Sequence, residues 1–141
     1  MGDIIKVYDF DLADSANMMK PIIFCKPPQE IIDMAVPVNI LLSKELKKQG
    51  TAMMRTMRME QNFIEVLNTL EENPVISEFD VMFNPDYQMD VLKVMISVCK
   101  KKQFCAIWPG RYEAGKLYYA EENYRDYKVY DIANYDVTVI V

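Results

Sequence analysis

Apolar residues in this chain fall into short continuous runs that alternate with longer segments of helical spacing. Residues 22–25, Ile-Ile-Phe-Cys, form a wholly apolar run that predicts a short buried strand, and residues 29–34 predict a helical turn after it. Residues 36–42 predict a second strand. Ser43 then reads as the cap of a helix opening Lys44-Glu45-Leu46, with Gly50 bending or ending it. Over residues 53–72, Met57, Phe63, Ile64, Leu67 and Leu70 recur at roughly helical spacing, which predicts one long helix stopped by Asn73-Pro74. A strand over 75–83 follows. Residues 89–101 predict a helix with Val91, Leu92, Val94, Met95 and Val98 turned inward, and residues 104–108 another strand. Beyond that point the pattern shortens into β segments at 117–120, 128–130 and 136–141, expected to extend the sheet edge.

Strands alternating with helices predict an α/β fold, a mainly parallel sheet with helices on both faces, in one domain spanning residues 1–141. An apolar fraction of 51% with 26% charged residues fits one globular core. No apolar run reaches the length of a membrane span, and no basic-then-apolar leader opens the chain. Cys25, Cys99 and Cys105 each sit in apolar surroundings and read as buried reduced thiols, which fits the cytoplasm.

The chain has no histidine, which removes Ser-His and Cys-His nucleophile pairs and two-histidine metal motifs. The cysteines lack the paired spacing of a zinc site, so the expectation is no catalytic, metal or cofactor residues. A net charge of −5 argues against binding nucleic acid over the whole surface. Charge is uneven, however: Lys44, Lys47, Lys48, Arg55 and Arg58 form one basic segment and Lys100-Lys101-Lys102 another, so contact with nucleic acid stays open. No aromatic residue is interleaved with these bases, which favours solvated helix faces and cations at a helix end.

Two motifs carry apparent chemistry. Gly110 to Lys116 spells G-x-x-x-x-G-K, the letters of a phosphate-binding loop without its final Ser or Thr. Such a loop must follow a strand and open a helix, whereas Lys116-Leu117-Tyr118-Tyr119-Ala120 alternates like a strand, so a turn between strands is expected here. Asp9-Phe10-Asp11 has the D-x-D spacing of magnesium phosphotransferases, but no downstream acidic pair completes a metal cup.

The segment Ile107-Trp108-Pro109-Gly110, with Glu113-Ala114-Gly115-Lys116-Leu117-Tyr118-Tyr119-Ala120-Glu121 and Tyr127-Lys128-Val129-Tyr130, resembles the C-terminal part of the small P-loop-containing protein of type-3 BREX (bacteriophage exclusion) systems. The likeness extends upstream through Phe83-Asn84-Pro85 and Asp90-Val91-Leu92-Lys93-Val94, and faintly to Val36-Pro37-Val38-Asn39. It implies a P-loop NTPase-like fold. In that family the phosphate loop follows the first strand; here Lys26-Pro27-Pro28-Gln29-Glu30 follows residues 22–25, with no glycine and with two residues that lack an N–H donor. The position of a magnesium-associated Asp reads Val75-Ile76-Ser77-Glu78, with Asp80 nearby. The resemblance therefore implies a degenerate relative that has lost ATP binding and hydrolysis.

Eleven methionines include Met53, Met54, Met57 and Met59 on one predicted helix, where flexible thioethers can fill a core or adapt to a partner. Tyr112, Tyr118, Tyr119, Tyr124, Tyr127, Tyr130 and Tyr135 crowd the C-terminal third, more than a small terminal sheet can bury. Trp108, Tyr112, Tyr118, Tyr119, Tyr124 and Tyr127 are accordingly expected to bind a partner. The resulting expectation is a non-catalytic accessory or regulatory interaction protein of a phage-defence system, whose partners are other subunits of that system or a second copy of this chain. The alternative is a nucleotide- or magnesium-dependent NTPase or phosphotransferase acting through Lys116 or through Asp9 and Asp11.

Overall fold

Ile22, Ile23 and Phe24 are all fully buried, so the strand they form must be flanked on both edges and covered on both faces. In the computed structural model, which describes residues 1–141, it lies inside a six-stranded parallel sheet. The strands are β1 (Asp3–Ile5), β2 (Ile22–Phe24), β3 (Val36–Pro37), β4 (Val75–Ser77), β5 (Cys105–Ile107) and β9 (Thr138–Ile140), in the order β1-β9-β2-β5-β4-β3. The helices are α1 (Gln29–Met34), α2 (Asn39–Leu46), α3 (Ala52–Met57), α4 (Met59–Asn68) and α5 (Val91–Cys99). The remaining strands β6 (Arg111–Glu113), β7 (Lys116–Tyr119) and β8 (Lys128–Asp131) form a separate antiparallel sheet.

Register sorts the parallel sheet's side chains into two layers. Ile23 aligns with Ala106 and Val139, and together with Ile76 they face a core of 27 buried residues filled from α2, α4, α5 and the antiparallel sheet. Ile22, Phe24, Val75, Cys105 and Ile140 point the other way and meet only Ile31 of α1 as a further buried residue. Partly buried Val7, Phe10, Leu12 and Met18, from the two N-terminal 3-10 segments, complete that thinner cover. The fold is thus α/β with both sheet faces covered, very unequally.

Four expectations are corrected. Residues 36–42 do not form one strand: β3 ends at Pro37, and Val38, Leu42 and Leu46 are buried one helical turn apart, so α2 starts at Asn39 and contains Ser43 instead of being capped by it. The long helix divides at Arg58, whose backbone leaves helical geometry at φ −102° and ψ 9°. Arg55 Nε donates to the carbonyls of Leu46 and Gln49 at 3.1 and 3.0 Å, which ties α3 to the end of α2 and pulls it out of line with α4. The strand over 75–83 stops at Ser77, because Glu78 adopts a left-handed φ of 49° and residues 80–83 coil as a 3-10 turn. Finally, β9 does not extend an edge; it inserts between β1 and β2, in register with both.

The antiparallel sheet is attached by directional contacts. Trp108 Nε1 donates to Tyr118 O at 2.9 Å, and the Tyr119 ring stacks on Phe83 at 3.8 Å between centroids. Gly110 lies so close beneath β7 that a Cβ there would come within 1.9 Å of the Tyr118 carbonyl oxygen. No helix is long and apolar enough to cross a membrane.

Candidate functional site

Gly110 to Lys116 is a β-hairpin. Glu113 and Lys116 are register partners, and the two residues between them, Ala114 and Gly115, have φ of 49° and 81°, the paired left-handed conformation of a tight hairpin turn. The turn expected from the alternating aromatic residues is what forms, and no helix follows Lys116 to aim N–H groups at a phosphate. The D-x-D pair is likewise absorbed locally: Asp9 lies in one 3-10 turn, and the Asp11 carboxylate accepts from Ala13 N at 3.0 Å to cap the next. Nowhere do three or more Cys, Asp or Glu side chains come together as a metal group.

Between β2 and α1 the chain runs Cys25-Lys26-Pro27-Pro28, and α1 is only six residues long. Of the acidic residues beyond β4, Glu78 is exposed, and Asp80 accepts a hydrogen bond from the Tyr119 hydroxyl at 3.1 Å. Burial pushes the Cys25 thiol up from 9.0 to about 12 and the Cys105 thiol to about 11, and raises Cys99 as well, so all three stay protonated near neutral pH.

The aromatic residues expected at a partner surface separate into groups. Trp108 and Tyr119 are buried in the main core, Trp108 edge-on to Phe83 and Tyr130. Tyr112, Tyr118 and Tyr127 are half-buried, with the Arg111 guanidinium 4.3 Å over the Tyr118 ring. Tyr124 alone is widely open, at 67% exposure. Tyr130 and Tyr135 face inward, and Tyr135 donates to the Asp90 carboxylate at 2.6 Å while that residue also caps α5. The Trp108 and Tyr119 side chains therefore serve attachment of the sheet and offer no outer surface.

Two surface features remain. On α3, Met53 and Met57 stand one turn apart at 73% and 72% exposure and line a groove of about 340 Å³ with Thr56, Asp86 and Gln88. At the carboxyl ends of the parallel strands, a crevice of about 530 Å³ is bounded by Lys6 and Tyr8 after β1, Cys25 and Lys26 after β2, Gly110, Arg111 and Tyr112 after β5, and Val141 after β9. Open α/β sheets bind ligands at this end. Three cations line the crevice with no Asp or Glu among them, none of the three pairs with an Asp or Glu elsewhere, and the main-chain carboxylate of Val141 is the one anionic group at its edge. No sequence argument joins Lys6, Lys26 and Arg111; the signal would have been that Lys6 and Lys26 stand just past strand ends and Arg111 at the start of β6, which is informative only once the strand order is known.

Comparison with protein-family models, with curated proteins and with solved structures finds no match to this chain.

Proposed function

We propose that this chain is a non-catalytic interaction protein, an accessory or regulatory component of a bacterial phage-defence system, built on a P-loop-like fold that has lost its phosphate loop. The observation that carries the interaction reading is the outer face of α3. Met53 and Met57, and Met54 at 43% exposure, present flexible apolar surface that no part of the chain covers. Exposed clusters of this kind mark contact surfaces, and thioether side chains adapt to an irregular partner. Tyr124 offers a second exposed anchor. The loss of the phosphate cradle is supported by the Pro27-Pro28 pair after β2 and by the hairpin that Gly110 to Lys116 forms instead of a loop and helix. The defence setting rests on the resemblance of residues 107–130 and the upstream segments to the small protein of type-3 BREX systems, which makes the other proteins of such a system the partners to test.

The test is co-expression of the chain with each protein of such a system, followed by co-purification. A complex with one of them, lost in the Met53→Lys, Met57→Lys double variant while the unfolding midpoint is unchanged, is the expected result. Absence of any complex, or a complex indifferent to both substitutions, overturns it. The enzymatic alternative is checked separately by phosphate release from Mg-ATP and Mg-GTP; turnover that disappears in Lys116→Ala or Asp9→Asn would replace the interaction reading with that alternative.

A further inference from the structure

The crevice at the carboxyl end of the parallel sheet gathers three cations on a protein of net charge −5. Lys6 and Lys26 come from the connections after β1 and β2 and Arg111 from the start of β6, so their convergence is a product of topology, not of a run of bases in sequence. Three like charges held around one concavity repel one another; the Val141 main-chain carboxylate offsets one of them, and a further anion placed between them relieves the excess. Arg111 is the most constrained of the three, because its guanidinium lies over the Tyr118 ring, and Gly110 beside it is held against the Tyr118 carbonyl.

The same crevice has an aromatic lining. Tyr8 sits on the 3-10 turn after β1 with 79% of its surface exposed, and half-buried Tyr112 lines the crevice from β6. An uncovered tyrosine next to unpaired cations is the pairing that holds a phosphate through charge and a base through stacking. The volume, about 530 Å³, is in the range of roughly 300–1,000 Å³ typical of small-molecule sites. A cavity at the opposite end of the sheet, formed by Lys101, Lys102 and Gln103 with Glu72, carries a carboxylate and no aromatic ring, and the tyrosine-lined hollow at Lys128 holds a single cation beside the Asp90 carboxylate.

We propose that this crevice binds a nucleoside phosphate without magnesium, with Lys6, Lys26 and Arg111 on the phosphate and Tyr8 against the base. The site uses side chains from two connections and the start of β6 and no phosphate loop, and it is independent of the α3 contact surface. The nucleoside phosphate has two sources, a free nucleotide or the terminal nucleotide of a single strand.

The test is calorimetric titration in EDTA with AMP, inorganic pyrophosphate and a 5′-phosphorylated ten-residue thymidine oligonucleotide. AMP or the oligonucleotide binds, the affinity falls with added salt, and Lys26→Gln and Arg111→Gln each weaken it roughly tenfold. Tyr8→Ala weakens the base-bearing ligands roughly fivefold or more and leaves pyrophosphate unchanged. The Lys101→Gln, Lys102→Gln variant keeps full affinity. All of these positions are at the surface, so unchanged unfolding midpoints accompany the losses. Equal affinity for AMP and the oligonucleotide identifies the free nucleotide as the source; a much tighter oligonucleotide identifies the strand end. Failure of both base-bearing ligands to bind at millimolar concentration overturns the proposal. So does binding that is lost in the Lys101, Lys102 variant and retained in the crevice variants, or affinity for AMP that does not respond to Tyr8→Ala.

Discussion

The two sheets of this protein are held by different physics. In the parallel sheet, β2, β5 and β9 carry residues without polar tips, apart from Thr138, that alternate between two apolar layers, and their partners are distant in sequence. Burial there is non-directional and tolerates exchange of one apolar group for another of like volume. The antiparallel sheet is attached by aromatic residues with polar tips: Trp108 to a β7 carbonyl, Tyr119 to Asp80, and Tyr130 of β8 against Tyr135, which lies between β8 and β9 and donates to Asp90. Such anchors depend on angle and protonation as well as on area. The parallel sheet should therefore respond to substitution through volume, the antiparallel one through hydrogen bonding and pH.

The largest effect should come from the shared core. Phe63 of α4, fully buried against Phe104, should destabilise the whole protein by about 3–5 kcal/mol on truncation to Ala, with far-UV and Trp108 signals lost in one transition. Two separated transitions would show that the sheets unfold independently and break the picture of a common core. Next, Gly110→Ala should cost about 1–3 kcal/mol and shift the Trp108 emission in the folded state, because β7 must move away from the new methyl group. A normal emission spectrum would show that the hairpin is not seated on the glycine.

Tyr135→Phe should cost about 1–2 kcal/mol near neutral pH, by leaving the Asp90 carboxylate short of a donor. Its pH dependence separates the two regions. Burial, reinforced by the Asp90 carboxylate, raises the Tyr135 hydroxyl from 10.0 to about 12, and Tyr119 and Tyr130 move in the same direction. A phenol that holds its proton more tightly when folded stabilises fully below pH 10 and loses that contribution as pH climbs toward 12. The thiols of Cys25 and Cys105 act likewise, with the loss starting near pH 9. Denaturant titrations from pH 8 to 11.5 should show stability falling from about pH 9, with a shallower fall above pH 10 in Tyr135→Phe. Identical slopes in both proteins would remove protonation as a distinguishing property of the antiparallel sheet. The smallest effect should be a gain: Ala114→Asn, at a left-handed hairpin position that suits Asn, should add about 0.5 kcal/mol in thermal unfolding.

Much of the parallel sheet was legible in the sequence. Residues 29–34 form a helix with the expected bounds, and β2, β5 and α5 fall inside their expected segments. Those segments have one apolar period and clear stops, such as Asp90, which caps α5. The run at 36–42 misled because β-branched residues around Pro37 imitate a strand, while the deciding signal, Val38, Leu42 and Leu46 at four-residue steps, crosses the assumed cap at Ser43. Strand order was harder, since period says nothing about neighbours. Even so, Val137, Thr138, Val139 and Ile140 form an uninterrupted buried run, the mark of an interior strand rather than an edge. Which of the tail's aromatic residues pack inward was not legible, because an aromatic count alone does not tell an anchor from a contact. The carboxylates that receive Tyr119 and Tyr135 lie 39 and 45 residues away. The crevice was hidden for a related reason: it exists only after β9 has been placed between β1 and β2.

That placement also constrains the order in which the molecule can be assembled. Asp3 pairs with Thr138 and with no other strand, so β1 has nowhere to add until the residues of β9 have arrived and settled along β2. Until then β2 presents a bare hydrogen-bonding edge of fully apolar residues, a template for the wrong neighbour. Closing a loop of nearly the whole chain is entropically slow. The docking of β9 is therefore the step that covers this adhesive edge, and β1 can add only after it. A nascent or truncated chain lacking β9 would be a helical and partly sheeted body with an open seam.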